Sequence, residues 1–380
     1  MHHPFSRSLR RLAVLLASGL GFGAAGLAQT APPTYRVTDL GMPEGQMYME
    51  GQALSDRGEV IGRSYGKRQG VQLFTWTLAS GLKPWREPFK RPGVLLADVN
   101  RRHQVIGNIF HDSGSNHSQT GFVWDRSTGT QPLDGLIEGH VNSSMAALNE
   151  QGVATGWYTS NLHPHTRTFV WSAETGVVDI HPSGYAMSTP LALNNRGQVL
   201  VSAYETGRSD REIVVLSKGG GATPFACVPL AGQPSTSCIG TSINDRGLVA
   251  GEVQGTKDVD GHFWPPVHPI VWSPAGEAVD ISAGTPFADY WADFLDINQQ
   301  GQVVGRLQQT HFDDFETFYW DVENGMHKVE DLVDAADPLK GRFQATGGRP
   351  KINSQGEILL NVSFDHNASH QHVLVLTPAR

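Results

Sequence analysis

The stretch Leu148-Asn149-Glu150-Gln151-Gly152 is one of seven copies of a short pattern that consists of an aliphatic residue, Asn, two polar residues and Gly. The other copies begin at Leu54, Val99, Leu193, Ile243, Ile297 and Ile352. The second positions of successive copies, which hold Asn except for Ser55 in the first copy, lie 45, 49, 45, 50, 54 and 55 residues apart. A repeat of this length is typical of a β-propeller or a related array in which each unit forms one sheet.

Asn and Gly have separate roles in this pattern. The Asn side chain can accept hydrogen bonds from main-chain amides two residues further on. Gly supplies the positive φ that closes a hairpin with a bulge. In the second copy His103 stands at the Gly position, and His is among the few side chains enriched in the left-handed region. We therefore predict a tight turn in every copy.

Each turn lies between two short strands, and a third strand, which ends in Trp in five copies, follows. The second strand has a form such as Val60-Ile61-Gly62, the third a form such as Phe169-Val170-Trp171, and the fourth a form such as Val177-Val178-Asp179-Ile180. Four short strands per unit predict one twisted antiparallel sheet, or blade. Because the Trp and Asn series recur in register, we interpret both as structural.

The seventh unit has only three strands before the chain ends. The segment Tyr35–Leu40 resembles a fourth strand and precedes the first turn. We predict that it pairs with Val373–Thr377 and closes a ring, which removes two free sheet edges. The predicted fold is all-β: a seven-bladed β-propeller with four-stranded antiparallel blades, the last closed by the N-terminal strand. The repeats start near residues 51, 96, 145, 190, 240, 294 and 349, and an open solenoid is the alternative.

The repeated turn and the Phe-x-Trp strand resemble the HAF family of extracellular repeats, which is named for a His-Ala-Phe stretch before an aliphatic residue and Trp. The stretch His268-Pro269-Ile270-Val271-Trp272 keeps the His of that motif, whereas Thr168-Phe169 keeps only the Phe. The resemblance covers nearly all of the chain after its first residues. It implies a secreted repeat protein and no settled activity.

The first 28 residues have the features of a secretory signal peptide. Arg7, Arg10 and Arg11 precede the apolar segment Leu12–Ala25, and small residues lead to a cleavage site near Ala28. We expect the protein to be secreted or periplasmic, with residues 29–380 as a single propeller domain. No later stretch is long and apolar enough for a membrane span.

The net charge of the chain is −8. Removal of the leader takes away three Arg and no acidic residue, so the net charge becomes −11. An acidic surface argues against nucleic acid as a partner. The expected partners are a glycan or another extracellular protein, and the expected state is a monomer.

The two cysteines, Cys227 and Cys238, lie in the segment that joins the fourth and fifth units. In an exported protein such a pair favours a disulfide, and the alternative is two reduced, buried thiols.

Ten of the sixteen His lie between the second and third strands of their units. His111, His163, His165 and His311 are the candidate metal ligands, because imidazole with nearby carboxylates suits Zn²⁺ and other divalent ions. A divalent metal is the one cofactor that this pattern suggests. The alternative is that these His belong to ordinary polar surface loops.

Two further groups are candidate ligand-binding residues. Tyr290, Trp291 and Asp293 could form a sugar-stacking platform, and the alternative is an aromatic plug between blades. The residue two positions before the Asn or Ser of each copy is mostly small, but Asp98, Asp296 and Lys351 stand there in three copies. We expect these three to line a central channel, as ligand-binding groups or as polar groups that cap it.

No Gly-x-Ser-x-Gly elbow, phosphate loop or dinucleotide fingerprint occurs. The leading hypothesis is therefore a secreted binding propeller that presents variable His- and aromatic-containing loops on one face. The alternative is an extracellular hydrolase or lyase that acts on polysaccharide, with or without a metal, and has its site at the ring centre.

Overall fold

The described residues form seven antiparallel sheets that follow one another around a ring. The computed structural model describes residues 31–85, 93–113, 116–207, 211–225, 237–254, 267–309, 315–364 and 370–379. In blades 1 to 6 the four strands pair in chain order. The strands are, in blade 1, Tyr48–Leu54, Val60–Gly66, Gly70–Thr77 and Gly81–Pro84; in blade 2, Val94–Val99, Val105–Ser113, Asn116–Asp125 and Gly129–Pro132; in blade 3, His140–Leu148, Ala154–Ser160, Arg167–Ser172 and Gly176–Asp179; in blade 4, Tyr185–Leu193, Val199–Glu205, Arg211–Leu216 and Ala222–Phe225; in blade 5, Ser237–Ile243, Val249–Gln254, Val267–Trp272 and Ala278–Asp280; and in blade 6, Trp291–Ile297, Val303–Gln308, Glu316–Asp321 and Gly325–Lys328.

Blade 7 joins the two ends of the chain and confirms the predicted closure. Its outermost strand, Tyr35–Asp39, pairs antiparallel with Gln371–Pro378, and Tyr35 lies opposite Pro378. Next comes Ile358–Ser363, and the innermost strand is split into Gln344–Ala345 and Lys351–Ile352. Short 3-10 helices, Asp134–Leu136 and Val329–Leu332, precede blades 3 and 7. None of the helices among the described residues has the length and apolar character needed to cross a membrane.

Among the described residues, seven hydrophobic clusters hold the ring together, one at each interface between neighbouring blades. The Trp that ends the third strand is at most 6% exposed in every blade that carries it. These residues are Trp76, Trp124, Trp171, Trp272 and Trp320. Each blade therefore buries its apolar faces against its neighbours, so a chain of this length needs no single large core.

The Gly of the second strand is required by close packing. A Cβ at Gly156 would lie 2.2 Å from the carbonyl oxygen of Ser144 on the inner strand and 2.6 Å from the Phe169 ring. The same pair of neighbours surrounds Gly62, which would meet Glu50 and Phe74. The Phe of the Phe-x-Trp strand thus packs against the Gly of the second strand, in space that a side chain on that Gly would fill. This packing explains why the second-strand Gly and the third-strand Phe occur together.

The repeated Asn turns form a hydrogen-bonded ring on one face. Each Asn side-chain oxygen accepts bonds from the amides two and four residues on, as Asn244 does from Arg246 at 3.0 Å and Leu248 at 3.1 Å. Its Nδ2 also donates to the carbonyl oxygen of the corresponding residue in the next blade, at 2.9–3.1 Å in all six copies. The accepting bonds confirm the predicted turn, and φ of His103 is 63° as expected. The donating bonds were not predicted.

The inner strand of each of the first six blades contains a register shift. In every case the shift ends at the residue that lies two positions before the Asn or Ser of the turn. In blade 2 the shift falls between Leu96 and Asp98. A bulge bends the strand and changes the direction of the side chain that follows. The residues that follow the shift are Ala53, Asp98, Ala147, Ala192, Ser242 and Asp296.

Candidate functional site

The two faces of the ring differ in what they carry. The Asn turns occupy one, which we call the turn face. The other, which we call the link face, carries the connections between blades and the turns between the second and third strands. These two kinds of segment bond to each other, as Met47 N does to Tyr65 O at 2.8 Å and Thr206 N to Gly184 O at 3.0 Å.

The structure places the three described candidate metal ligands on two blades. His111 Nε2 lies 3.0 Å from Thr120 Oγ1 in blade 2. His163 and His165 are exposed in blade 3, where the His163 ring packs edge-on against Tyr158 at 6.4 Å. His311 lies outside the described residues. Within the described part of the chain, no group of three or more His, Cys, Asp or Glu is arranged to hold a metal, and the metal hypothesis stays a prediction.

Cys238 is buried, 4% exposed, on the inner strand of blade 5. Cys227 lies outside the described residues, as does the leader. The disulfide, the signal peptide and secretion therefore stay predictions.

The residues of the aromatic platform proposed at the start of blade 6 have different surroundings: Tyr290 packs against the core, and Asp293 forms an ion pair. Tyr290 packs edge-on against Phe287 at 5.6 Å and against the cluster between blades 5 and 6. Trp291 is half-buried at the first position of the inner strand. Asp293 is paired with Arg306, whose Nε donates to Asp293 Oδ1 at 2.7 Å. Asp293 therefore contacts Arg306, whereas the sequence had suggested a group with Tyr290 and Trp291.

The three channel residues come together around one cavity. Asp98, Asp296 and Lys351 line a space of about 200 Å³ on the ring axis, with the small residues of the other blades. Each carboxylate spans a blade interface: Asp98 accepts from the amide of Leu148 at 2.9 Å, and Asp296 accepts from that of Ile352 at 3.0 Å. Burial raises the pKa of Asp98 to about 6, against the hydrogen bond from Leu148 and the attraction of Lys351. These bonds agree with the capping alternative, and ligand binding here stays untested.

A third group, which we call the arginine cluster, lies on the link face between blades 5, 6 and 7. It consists of Glu252, Asp293, Phe294, Arg306, Phe315 and Arg349. Phe294 occupies the bulge of the blade 6 inner strand with φ of 54°. A bulky residue in the left-handed region is strained. The strained residue is the one whose ring both Arg306 and Arg349 contact.

Arg306 is fully engaged in the cluster. Its guanidinium carbon lies 4.5 Å from the Phe294 ring centroid and 4.3 Å from that of Phe315. Nε and Nη2 bind the Asp293 carboxylate, and Nη1 donates to Gly347 O at 3.1 Å. Cation–π contacts and a two-point ion pair hold this side chain in one orientation.

Arg349 has the same charge and far fewer partners. It is exposed, and its guanidinium carbon lies 4.5 Å from the Phe294 ring centroid. Within the described residues its N–H groups form no hydrogen bond or ion pair. The Phe294 ring holds the guanidinium in place, and its donors have no partner among the described residues, so they are available to bind a carboxylate through two parallel bonds.

Glu252 adds a carboxyl group that titrates near neutral pH. Its Oε1 accepts from Phe294 N at 2.9 Å. Burial, and then the charge of Asp293, raise its pKa to about 7, against the Phe294 hydrogen bond and the attraction of Arg306 and Arg349. A carboxyl group with such a pKa beside cationic groups is characteristic of functional sites.

We expect the free energy of unfolding to fall as pH rises from about 4 to about 7. Burial raises the pKa of Asp98 to about 6 and the pKa values of Glu252 and Glu330 to about 7, so the folded chain binds more protons than the unfolded chain in that window. Urea denaturation at pH 5 and pH 8 should show this loss. Glu252→Gln should reduce it by roughly 2 kcal/mol, whereas exposed Glu174→Gln should not. A stability that rises over this window would contradict the assignment.

Comparisons with known proteins show similarity of fold. No protein-family model matches the chain, and no curated protein matches it; the HAF resemblance therefore stays a prediction. An oligogalacturonate lyase in complex with manganese superposes with a TM-score of 0.54 at 14% identity, over 93% of this chain and 96% of that one. A streptogramin B lyase gives 0.50 at 10%, over 91% and 98%. A prolyl endopeptidase gives 0.54 at 11%, over 99% of this chain and 55% of the other. At these identities the likeness concerns the β-propeller alone.

Proposed function

We propose that the protein is a secreted binding propeller that takes a carboxylate-bearing glycan on its link face, at the arginine cluster. The observation that supports this most directly is the stacked, exposed guanidinium of Arg349, whose donors have no partner among the described residues. Arg306 and Asp293 neutralise each other below it. Arg349 therefore provides a localised positive charge on an otherwise acidic protein.

The charge distribution explains the choice of ligand. The net charge of −11 that remains without the leader repels any long polyanion, nucleic acid or polysaccharide, so the proposed ligand is a short acidic glycan. A sugar acid presents one carboxylate per ring, which a single guanidinium can bind through two bonds. The adjacent aromatic rings Phe294 and Phe315 pack on Arg306, so they position cations and are not themselves free stacking surfaces.

The test is calorimetric titration with an oligogalacturonide and with its methyl ester, which keeps the sugar and removes the charge. We expect the acid to bind and the ester to bind more weakly. Arg349→Ala should weaken binding of the acid about tenfold, which is about 1.4 kcal/mol. The matched control is Arg342→Ala, because Arg342 is also exposed on the link before blade 7. Equal affinity for acid and ester, or equal losses in both variants, would reject the proposal.

Glu252 supports a second candidate, an extracellular hydrolase or lyase. A carboxyl group with a pKa of about 7 can accept or donate a proton at neutral pH, and the cluster places it near Arg349. Incubation with the same oligogalacturonide, followed by assays for new reducing ends and for unsaturated products, distinguishes the two candidates. Turnover that Glu252→Gln abolishes favours the enzyme, and binding without turnover favours the binding module.

A further inference from the structure

Glu252 is bonded to the residue that holds the exposed guanidinium of the arginine cluster. It lies on the second strand of blade 5, and its Oε1 accepts from Phe294 N at 2.9 Å. That bond crosses the interface between blades 5 and 6 and ends at the bulge. The ring of Phe294 in turn stacks on Arg349. A change at Glu252 therefore acts on the immediate surroundings of Arg349.

Four charged groups share this part of the link face. Glu252 faces Asp293 and Arg306 of blade 6 and Arg349 of blade 7, and the charges of all three act on its carboxyl group. The residues that pair with Glu252 on the two neighbouring strands of blade 5 are not ionisable. With Glu252 ionised, two carboxylates and two guanidiniums cancel. With Glu252 protonated, the cluster carries one net positive charge.

Glu252 and Asp293 differ in how they are held. Asp293 is bound by Nε and Nη2 of Arg306, whereas Glu252 forms no ion pair within the described part of the chain. Burial is the largest of the effects that raise the pKa of Glu252 to about 7. Glu252 therefore changes its charge between pH 5.5 and pH 8, while Asp293 stays paired with Arg306.

A carboxylate bound at Arg349 is affected by this change. Ionised Glu252 repels the ligand and weakens the net attraction that the cluster offers it, and protonation removes that repulsion. A protonated carboxyl group keeps an oxygen that can accept from Phe294 N, so the bulge is held in both states. The carboxylate of the ligand titrates near pH 4 and stays ionised over the same range. The two states thus differ in charge and not in shape.

We infer that the charge of Glu252 sets the affinity of Arg349 for a carboxylate, so that the arginine cluster binds its ligand more tightly in mildly acidic than in mildly alkaline solution. This inference rests on the proposed function, because it concerns the same ligand at the same site. One charge nearby in partly solvated surroundings changes the affinity about fivefold. By linkage, the ligand strengthens the binding of the proton to Glu252 by the same factor. Ligand binding near pH 7 therefore takes up part of a proton from solution.

Calorimetric titration with the oligogalacturonide at pH 5.5 and pH 8 measures the effect. We expect about fivefold tighter binding at pH 5.5, and near pH 7 a heat of binding that differs between phosphate and Tris buffers because a proton is taken up. Glu252→Gln keeps the acceptor for Phe294 N and removes the charge. It should bind about fivefold more tightly than the unaltered protein at pH 8 and lack this proton uptake. The His residues gain protons in both proteins, so the difference between the two belongs to Glu252.

Glu330→Gln is the matched control. Glu330 is also a buried carboxyl group, and burial raises its pKa to about 7, but the charges that act on it belong to Glu316, Asp331 and Lys328. This variant should keep the full difference in affinity between pH 5.5 and pH 8.

NMR spectra of the protein labelled with ¹⁵N-phenylalanine follow Glu252 without any ligand. The Phe294 amide should titrate with a midpoint near pH 7 in the unaltered protein and lose this titration in Glu252→Gln. Saturation with the oligogalacturonide should move the midpoint about 0.7 pH unit higher, which corresponds to the fivefold change in affinity.

The possible failures are distinct. Equal affinity at the two pH values, a pH dependence that Glu252→Gln leaves unchanged or Glu330→Gln abolishes, or a Phe294 amide that does not titrate in this range overturns the inference and leaves the proposed ligand in place. Absence of binding at both pH values rejects the proposed function and the inference together.

Discussion

A chain that begins at residue 41 is expected to lose the closed ring and its cooperative unfolding. Tyr35 is fully buried and packs edge-on against Tyr319 at 6.3 Å, and Leu40 is 5% exposed. Removal of this strand exposes the edge of Gln371–Pro378, whose Leu374 and Leu376 are fully buried. The loss of two large buried side chains and a strand ladder should cost about 5 kcal/mol or more.

The matched control moves the strand instead of removing it. Because Tyr35 lies opposite Pro378, residues 35–40 appended after Arg380 through a short Gly/Ser linker could form the same hairpin that joins the third and fourth strands elsewhere. Thermal denaturation and size-exclusion chromatography should show an unfolded or aggregated truncated chain and a monodisperse, cooperatively unfolding permuted one. An unchanged transition in the truncated chain would show that closure by this strand is dispensable.

Asn244→Ala is expected to destabilise the protein by about 3 to 5 kcal/mol. Asn244 is fully buried and makes three hydrogen bonds: it accepts from Arg246 N and Leu248 N and donates to Asn298 O at 3.0 Å. Alanine removes the acceptor of the Arg246 and Leu248 amides in blade 5, and it leaves Asn298 O in blade 6 with only its bond from Gly301 N at 3.0 Å. Urea denaturation measures the effect, with exposed Gln300→Ala as the control. A loss below about 1 kcal/mol would mean that water replaces the ring of bonds.

The first copy supplies the reverse experiment. Ser55 accepts from Glu59 N at 3.1 Å, but its side chain has no donor that can reach the next blade as an Asn amide does. Asn353 nevertheless donates to Ser55 O at 3.0 Å, so the ring has a single gap between blades 1 and 2. Ser55→Asn should close it and stabilise the fold by about 1 kcal/mol. Ser55→Ala should have the opposite sign.

The sequence predicted the features that depend on local chemistry. The turn requires an acceptor and a positive φ within five residues, so Asn, Gly and the substitute His103 could be interpreted from their own positions. The buried Trp series and the closing strand followed from the spacing of the copies. The channel residues Asp98, Asp296 and Lys351 were also predicted to lie together, since equivalent positions in a closed ring face one axis.

The arginine cluster had no comparable signal. Arg306 aligns with Arg63 of blade 1, which likewise pairs with an acid on its inner strand, Glu50, at 2.7 Å. What separates them is the Phe294 ring, which the bulge of blade 6 turns toward Arg306 and toward Arg349 of the next blade. The break in the blade 7 inner strand, which Arg349 occupies, was also not predicted.

The repeat pattern alone determined seven blades, their turns and the way the ring closes, because each of these follows from the backbone chemistry of neighbouring residues and from a fixed period. The tertiary structure determined which of the residues that depart from the repeat pattern contact one another. Contacts between Arg349, Phe294 and Glu252 join residues far apart in the chain, and their geometry depends on bulges and side-chain directions that no local pattern encodes.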